Sequence, residues 1–295
     1  MKNIAVIGAG TMGNGIAHCF AQKGYSVKLI DTSLDALKKG VTTIDKNLDR
    51  LIKKGEISLA EKEKTLKKIT THSNISEAVS NVDLAIEAAT ENENVKLEIF
   101  KKLDQYCPPK AILASNTSSI SITKIAAVTN RADRVIGMHF MNPVPIMKLI
   151  EVIKGFSTSD EVCNQIVVLS EKIEKIPVLV NDAPGFVANR ILMPMINEAI
   201  ITLQERIAGV NEIDTVMKLG MAHVMGPLQL ADFIGLDVCL SILNVMYDGL
   251  ENKKYAPCPL LEKMVANGKL GVKTGEGFYD WTKGTKEFKV SSEFI

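Results

Sequence analysis

The sequence predicts an α/β fold, in which a doubly wound, mostly parallel sheet carries an inserted helical hairpin and precedes a smaller all-α domain. Short apolar strands alternate with amphipathic helices through the first 183 of the 295 residues. A glycine-rich loop joins the first strand to the first helix. Beyond Pro184 and Gly185 the β-branched runs stop, and only helical periodicity continues. We therefore predict two domains, at residues 1–183 and 184–295.

The loop after the first strand has the sequence GAGTMG and leads directly into a helix. Gly8 permits a tight turn, Gly10 lets the backbone approach a pyrophosphate, and Gly13 lets the helix pack closely on the strand. The free N–H groups of such a helix N-terminus face the phosphates of a ligand. The residues expected to line this part of the site are Gly8, Gly10, Thr11, Met12 and Gly13. Because strand, loop and helix follow in this order, we predict a Rossmann-type dinucleotide-binding unit rather than a glycine turn without a ligand.

Asp31 ends the second strand and supports the same interpretation. It lies about 20 residues beyond the loop, where a carboxylate can accept hydrogen bonds from the diol of an adenosine ribose. A carboxylate would repel a 2′-phosphate, so we predict NAD as the cofactor in preference to NADP. The alternative is that Asp31 is an acid near the N-terminus of the next helix.

A helical hairpin is predicted at residues 34–69, between two strands. Apolar side chains recur every three or four positions from Leu34 to Leu51, and Gly55 ends this first helix. Ser58 and Glu61 then have the spacing of a capping box, which predicts the start of a second helix.

The hairpin is basic in an almost neutral protein. Residues 38–68 contain ten Lys or Arg against five Asp or Glu, whereas the whole chain has a net charge of +1. Arg50 and Lys54 lie one turn apart on one helix face. Two interpretations remain open, namely a solvated helix face or the attraction of a phosphate-rich ligand.

The alternation of strands and helices resumes after the hairpin. Strands are predicted at residues 83–87, 111–114, 134–137, 147–153 and 177–180. Helices are predicted at residues 94–105 and 160–173 in the first domain, and at residues 186–207, 213–219, 228–250 and 260–266 in the second. Apolar helices in so small a second domain also indicate a partner surface, and we predict a homodimer through it.

Composition and charge argue against several classes of protein. A net charge of +1 with 23% charged residues is not typical of a nucleic-acid-binding protein. The five cysteines include no CxxC pair and the four histidines lack ligand spacing, so we predict reduced thiols and no metal site. The chain enters a strand close to Met1 and has no apolar run long enough to span a bilayer, which predicts a cytoplasmic protein without a membrane segment.

Three polar clusters outside the glycine loop are candidates for chemistry. The first, Ser115–Ser119, directly follows an apolar strand, and ligands bind at the carboxyl ends of strands in an open α/β sheet. The second contains His139, with Glu151 twelve positions later on the next predicted strand. A turn between these strands would bring the two side chains together. The third cluster places Asn189 early in the first helix of the second domain.

These clusters have structural alternatives as well as a chemical interpretation. A serine-rich segment can be a turn that caps the next helix, and a lone histidine in an apolar strand is usually a core residue. Oxidation of a secondary alcohol with NAD, however, needs a base for the hydroxyl proton, and imidazole titrates near neutral pH. A carboxylate behind the imidazole fixes its tautomer, and the amide of Asn189 can hydrogen-bond a carbonyl or alkoxide.

Six segments follow one another along nearly the whole chain: GAGTMGNGIA, ASNTSSISI, GMHFMNPVPIMKLIEVI, NDAPGFVANRI, MGPLQLADFIGLD and KTGEGFYDW. As a set they resemble the short-chain L-3-hydroxyacyl-CoA dehydrogenases, in the single-function form without an attached hydratase domain. The resemblance implies an NAD-dependent oxidoreductase that interconverts (S)-3-hydroxybutyryl-CoA and acetoacetyl-CoA.

The resemblance also implies roles for individual residues. His139 would be the catalytic base and Glu151 its electrostatic partner. Ser118 and Asn189 would hold the 3-oxygen of the substrate. The cofactor site would further include Ala88, Glu91, Lys96, Asn116 and Lys273.

The same resemblance implies a ligand for the basic hairpin: Arg50 and Lys54 would bind the CoA portion of the substrate. Two alternatives remain. A related NAD-dependent dehydrogenase of a free hydroxy acid or sugar acid would use the same histidine and glutamate without CoA. A non-catalytic NAD-binding protein derived from this fold would be expected to lack one of the four catalytic residues, and all four are present.

Overall fold

The computed structural model describes all 295 residues, and the chain forms two compact units, Met1–Ala183 and Pro184–Ile295. The strands of the first unit are β1 (Asn3–Ile7), β2 (Ser26–Ile30), β3 (Ile69–His72), β4 (Leu84–Glu87), β5 (Ile112–Ser115), β6 (Val135–Phe140), β7 (Leu149–Lys154) and β8 (Ile176–Asn181). Its helices are α1 (Thr11–Gln22), α2 (Leu34–Lys53), α3 (Leu59–Leu66), α4 (Ile75–Ala78), α5 (Glu93–Tyr106), α6 (Ile122–Ala126) and α7 (Asp160–Lys172).

The eight strands form one sheet in the order β3-β2-β1-β4-β5-β6-β7-β8. All neighbouring strands are parallel except β6 and β7, which form an antiparallel pair. The predicted mostly parallel sheet is therefore confirmed. The chain passes from β1 to β2 on one side, whereas β4 lies on the other side of β1. Ligands bind at the carboxyl ends of the strands at such a switch point.

The central strands are continuously apolar because both faces of the sheet are covered. Every residue of β4, β5 and β6 is buried, and α1 contributes an unbroken buried run from Gly13 to Ala21. Full burial of one Ile or Leu side chain is worth about 1.5–3 kcal/mol. This core therefore holds the carboxyl ends of the central strands in fixed positions relative to α1.

The helical hairpin is present, but its second helix is shorter than predicted. Ser58 and Glu61 form the expected capping box, in which Ser58 Oγ accepts from Glu61 N and Glu61 Oε2 accepts from Ser58 N. The helix α3 ends at Leu66, and the next residues form β3, a strand absent from the prediction. Its two central threonines are exposed, so this short edge strand carries no apolar run to mark it.

The second unit is helical, as predicted. Its helices are α8 (Ala188–Gln204), α9 (Val210–Gly220), α10 (Pro227–Ile234), α11 (Leu236–Leu250) and α12 (Pro259–Ala266). It also contains one short antiparallel pair, β9 (Tyr279–Asp280) and β10 (Lys289–Val290), which the sequence pattern did not indicate.

The single helix predicted at residues 228–250 is wrong, because the chain breaks there into α10 and α11. Gly235 stands at the break with a φ of +103°, a conformation that favours glycine, and a Cβ at this position would lie 2.9 Å from Lys273 Nζ. No single helix of the protein is long and apolar enough to cross a membrane. Only α10 and α11 taken together reach the length and apolar composition of a membrane span, and the angle between them is 96°.

Two buried carboxylates tie α10 to its surroundings in the second unit. Asp214 accepts hydrogen bonds from two backbone N–H groups in the first turn of α10, at 2.9 Å each. This helix has no side-chain cap of its own, so Asp214 supplies one from another helix. Asp232 accepts from the backbone N–H groups of residues 278 and 279 and from Nε1 of Trp281. The C-terminal segment is thereby fixed to α10.

Candidate active site

The loop between β1 and α1 needs two of its glycines for packing. Gly8 has a φ of +103°, and a Cβ there would lie 2.5 Å from the carbonyl oxygen of Ala88. A Cβ on Gly13 would lie 1.8 Å from the carbonyl oxygen of Gly8. Gly10 is different, because no atom lies within 4 Å of the place where its Cβ would be. Gly8 and Gly13 let the helix and the strands pack closely, whereas Gly10 leaves open space beside the loop.

The N-terminus of α1 is not capped by the protein. Gly10 stands at its N-cap position without a side-chain hydrogen bond, and the first turn contains no acidic residue. The other long helices of the first unit, in contrast, begin with side-chain caps from Ser33, Ser58, Asn92 and Ser159. The N–H groups at the start of α1 are thus left to bind an anion from outside the chain, as a pyrophosphate would require.

Asp31 lies at the carboxyl end of β2, beside this loop. Its Oδ2 accepts a hydrogen bond from Ala9 N at 2.8 Å, and its Oδ1 accepts from Ser33 N at 2.9 Å. The N-cap of α2 is Ser33, so Asp31 is not itself the helix cap. Together with Gly8 it borders a cavity of about 540 Å³, which is walled by Ile30, Ile75, Val95 and Ile99. A carboxylate at the edge of an apolar cavity suits an adenosine, whose ribose is polar and whose base is flat.

His139 and Glu151 face each other across the antiparallel pair of β6 and β7. His139 Nδ1 lies 2.8 Å from Glu151 Oε2, and both side chains are buried. A carboxylate at Nδ1 requires the proton on that nitrogen, which leaves the lone pair of the neutral ring on Nε2. Ser118 Oγ lies 3.1 Å from Nε2 and is placed to donate to it. The three side chains form one hydrogen-bonded chain at the carboxyl edge of the sheet.

The loop that carries Ser118 is held by Glu91. The Oε1 atom of Glu91 accepts hydrogen bonds from Thr117 Oγ1 at 2.6 Å, Ser118 N at 2.9 Å and Ser119 N at 3.1 Å. Burial alone would raise the pKa of Glu91, but the ammonium of Lys96 and these donors outweigh it and lower the pKa. Glu91 therefore stays ionised and keeps the serine loop in place.

A buried acid, Glu87, completes this network and was not among the predicted site residues. Lys96 Nζ lies 2.8 and 2.9 Å from the two carboxylate oxygens of Glu87, and Ser115 Oγ donates to Glu87 at 2.7 Å. Asn116 Oδ1 accepts from Phe140 N at 2.9 Å, which links the ends of β5 and β6. The acid at the end of the apolar run Leu84–Glu87 was the available signal, and it was interpreted only as part of a strand.

Residues 3–183 match the NAD binding domain of 3-hydroxyacyl-CoA dehydrogenase, and residues 185–281 match the C-terminal domain of the same enzymes. The chain belongs to the 3-hydroxyacyl-CoA dehydrogenase family. It is 53% identical over 285 residues to the probable 3-hydroxybutyryl-CoA dehydrogenase of Bacillus subtilis, which covers 97% of this chain and 99% of that protein. The mitochondrial hydroxyacyl-coenzyme A dehydrogenase of Homo sapiens is 43% identical over 290 residues, 95% of this chain and 91% of that protein.

Among solved structures, the (S)-3-hydroxybutyryl-CoA dehydrogenase of Ralstonia eutropha is similar to this dehydrogenase with a TM-score of 0.91. The two sequences are 49% identical, and the match covers 94% of this chain and 98% of that chain. Fold, NAD-binding domain and enzyme class are thus those expected from the sequence. This dehydrogenase has no group of three or more His, Cys, Asp or Glu side chains that could hold a metal ion.

The remaining predicted site residues of this dehydrogenase lie in the second unit and on the hairpin. Asn189 is buried near the start of α8, and Lys273 forms an ion pair with Asp237. On the hairpin, Arg50 and Lys54 are both exposed. Arg50 donates to Asn47 at 3.1 Å, and Lys54 Nζ lies 3.7 Å from Glu56. Weak exposed contacts such as these leave both cations able to meet a ligand.

Proposed function

We propose that this chain catalyses the NAD-dependent interconversion of (S)-3-hydroxybutyryl-CoA and acetoacetyl-CoA. The observation that carries the proposal is the buried pair of His139 and Glu151, with Ser118 Oγ 3.1 Å from the other ring nitrogen of the imidazole. The names of the relatives from Bacillus subtilis and Ralstonia eutropha support the four-carbon CoA thioester as substrate.

The first unit fits NAD by three observations. Gly10 borders open space, the N-terminus of α1 is uncapped, and Asp31 stands at a cavity with apolar walls. NAD bound there would supply the acceptor for the hydride from C3 of the hydroxyacyl thioester, and NADH would supply the hydride for the reverse reaction. The further residues that we propose for the cofactor site are Thr11, Met12, Ala88, Glu91, Lys96, Asn116 and, from the second unit, Lys273.

In this mechanism His139 moves the proton of the reaction. Nε2 takes the proton of the 3-hydroxyl group during oxidation and returns it to the 3-oxygen during reduction. Glu151 holds the N–H at Nδ1 and stabilises the imidazolium that forms. With substrate present, the Ser118 hydroxyl, 3.1 Å from Nε2, turns its single proton from the imidazole to the 3-oxygen of the substrate, and the amide of Asn189 donates a second hydrogen bond to that oxygen.

The basic hairpin binds the CoA portion of the substrate in this proposal. Arg50 and Lys54 are exposed, and their only contacts are with neighbours on the same hairpin. A guanidinium and an ammonium one turn apart suit the phosphates of CoA. This use explains why so much positive charge is concentrated there in a chain with a net charge of +1.

We also propose that the second unit forms a homodimer. It exposes large apolar side chains that a monomer would leave in water, each of them more than half exposed: Ile191, Ile207, Val216, Leu219, Met221 and Val224. A second copy of the chain would cover these side chains, since symmetric dimers are the commonest assemblies.

An assay of acetoacetyl-CoA reduction, followed by the absorbance of the reduced nucleotide, tests the function. We expect turnover with NADH and a kcat/KM at least about tenfold lower with NADPH, because Asp31 would repel the 2′-phosphate. Absence of activity toward the CoA thioester would overturn the proposal. Equal activity toward free acetoacetate would instead favour a dehydrogenase of free hydroxy acids.

A further inference from the structure

Lys175 is a buried lysine without an acidic partner. It lies directly before β8 and is 7% exposed, and no carboxylate lies within ion-pair distance of its ammonium. Its Nζ donates instead to two backbone carbonyl oxygens, Val144 O at 2.6 Å and Met147 O at 2.7 Å. Burial of a charge without an opposite charge beside it costs free energy. The two hydrogen bonds of Lys175 are therefore its only compensation, and they fix the positions of these two carbonyl groups.

Both carbonyl groups belong to the β6–β7 loop, residues 141–148. This loop joins the strand of His139 to the strand of Glu151, and the two residues lie opposite each other in the register of the pair. The loop is also tied to β8, because Lys148 O accepts from Ile176 N at 2.8 Å. A displacement of this loop would therefore act on the ends of β6 and β7 that lie nearest to the imidazole and its carboxylate.

On its other side the β6–β7 loop lies against α1, the helix that follows the glycine loop. A Cβ on Gly15 would lie 2.8 Å from Val144 Cβ, so the helix and the loop are in close contact. Cys19 Sγ also donates to Val144 O, at 3.7 Å. The loop is thus held between α1 on one side and the ammonium of Lys175 on the other.

The titratable groups of α1 that face Lys175 are neutral. Burial lowers the pKa of His18 to about 4, with a smaller contribution from the charge of Lys175, and both ring nitrogens lack a hydrogen-bond partner. Burial raises the pKa of the Cys19 thiol. Neither His18 nor Cys19 therefore places a negative charge beside the ammonium, and its hydrogen bonds to the loop are not shared with an acid of α1.

We infer that Lys175 is a positioning residue for catalysis, which holds the β6–β7 loop so that His139 and Glu151 stay in contact. The inference rests on the proposed function of that pair. It differs from a general role in stability because the bonds of Lys175 end on the one loop that joins the two strands.

The test compares Lys175→Met with Lys172→Met, which removes an exposed lysine from the end of α7. In Lys175→Met we expect kcat to fall by about ten- to a hundredfold, because small displacements of a catalytic group cost that much. The dissociation constant for NADH should change by less than about twofold, because the glycine loop and Asp31 are untouched. The acid limb of the kcat profile for oxidation should move to lower pH, since a more distant carboxylate stabilises the imidazolium less. Lys172→Met should match the unmodified protein.

A folded Lys175→Met protein with unchanged kcat and an unchanged pH profile would overturn the inference, even if its melting temperature fell. If that variant does not fold, Gly15→Ala displaces the same loop from the opposite side and favours the helix. We expect the same loss of kcat and the same shift of the acid limb, and their absence would again contradict the inference. His139→Gln separates the two proposals, because full turnover in that variant would remove the proposed function itself.

Discussion

His139 on β6 and Glu151 on β7 occupy opposite positions of one antiparallel pair, with 2.8 Å between Nδ1 and the nearer carboxylate oxygen. The register of the two strands places them together, and the β6–β7 loop joins these strands. The other ring nitrogen, Nε2, lies 3.1 Å from Ser118 Oγ, and in the proposed mechanism it takes the substrate proton. The relationship leads directly to a prediction about catalysis.

Replacement of His139 by Gln should abolish most turnover without loss of cofactor binding. The variant keeps a polar side chain beside Glu151 but has no group that can take a proton at neutral pH. We expect kcat to fall by about 10²- to 10⁴-fold, the usual contribution of a general acid–base group. Fluorescence titration with NADH should give a dissociation constant within about twofold of the original. An unchanged kcat would refute the assignment of the base.

Reversal of charge at Lys54 should weaken binding of the CoA thioester selectively. In Lys54→Glu we expect the KM for acetoacetyl-CoA to rise by about tenfold, because a carboxylate replaces a cation near the phosphates. The KM for NADH should stay within about twofold. Lys39→Glu is the matched control, since it makes the same change of charge at an exposed position near the start of α2. Equal effects of the two substitutions on both KM values would contradict a CoA site on the hairpin.

The proposed dimer predicts a mass of two chains in light scattering at micromolar concentration. Leu219→Lys should shift the mass toward a single chain, because it places a charge on the exposed apolar surface of α9. Leu34→Lys changes a similarly exposed leucine in the first unit and should leave the mass unchanged. A single-chain mass for the unmodified protein would remove the proposal.

The order of elements could be predicted from the sequence because the central strands are buried on both faces and therefore form clear apolar runs. The strand β3 has no such apolar run, since its two central threonines are exposed and it lies at the edge of the sheet. The break between α10 and α11 also had no clear signal in the sequence. A single glycine in an apolar helical pattern costs only about 1 kcal/mol and is often tolerated. The conformation of Gly235 depends on the neighbouring segment, whose Leu270 O accepts from Leu236 N.

Residues of the candidate site were predictable where one local rule places them. The glycine loop follows from the strand–loop–helix order, and the pairing of His139 with Glu151 follows from a turn between two short strands. Glu87 and Lys175 had no such rule. Glu87 binds partners on two separate segments, and Lys175 binds a loop about 30 residues earlier in the chain, so only the folded structure shows what they hold.

The buried His18 predicts that acid weakens the first unit. Burial, assisted by Lys175, lowers the pKa of His18 from 6.5 to about 4. Between these values the unfolded chain binds a proton that the folded protein does not, so the free energy of unfolding falls as the pH is lowered. Asp232 in the second unit acts in the opposite direction, since burial raises its pKa from 3.8 to about 6 and folding then favours proton uptake.

A comparison with His18→Leu isolates the histidine, because the contribution of Asp232 is the same in both proteins and cancels in the difference. We expect the free energy of unfolding of the unmodified protein to fall by up to about 3 kcal/mol more than that of the variant as the pH is lowered from 7 to 4. Urea unfolding at several pH values measures this difference. The variant should show a flatter dependence on pH, because leucine binds no proton in either state. Parallel pH curves for the two proteins would mean that His18 is protonated at the same pH in the folded and unfolded chain, and that its burial has no effect on acid stability.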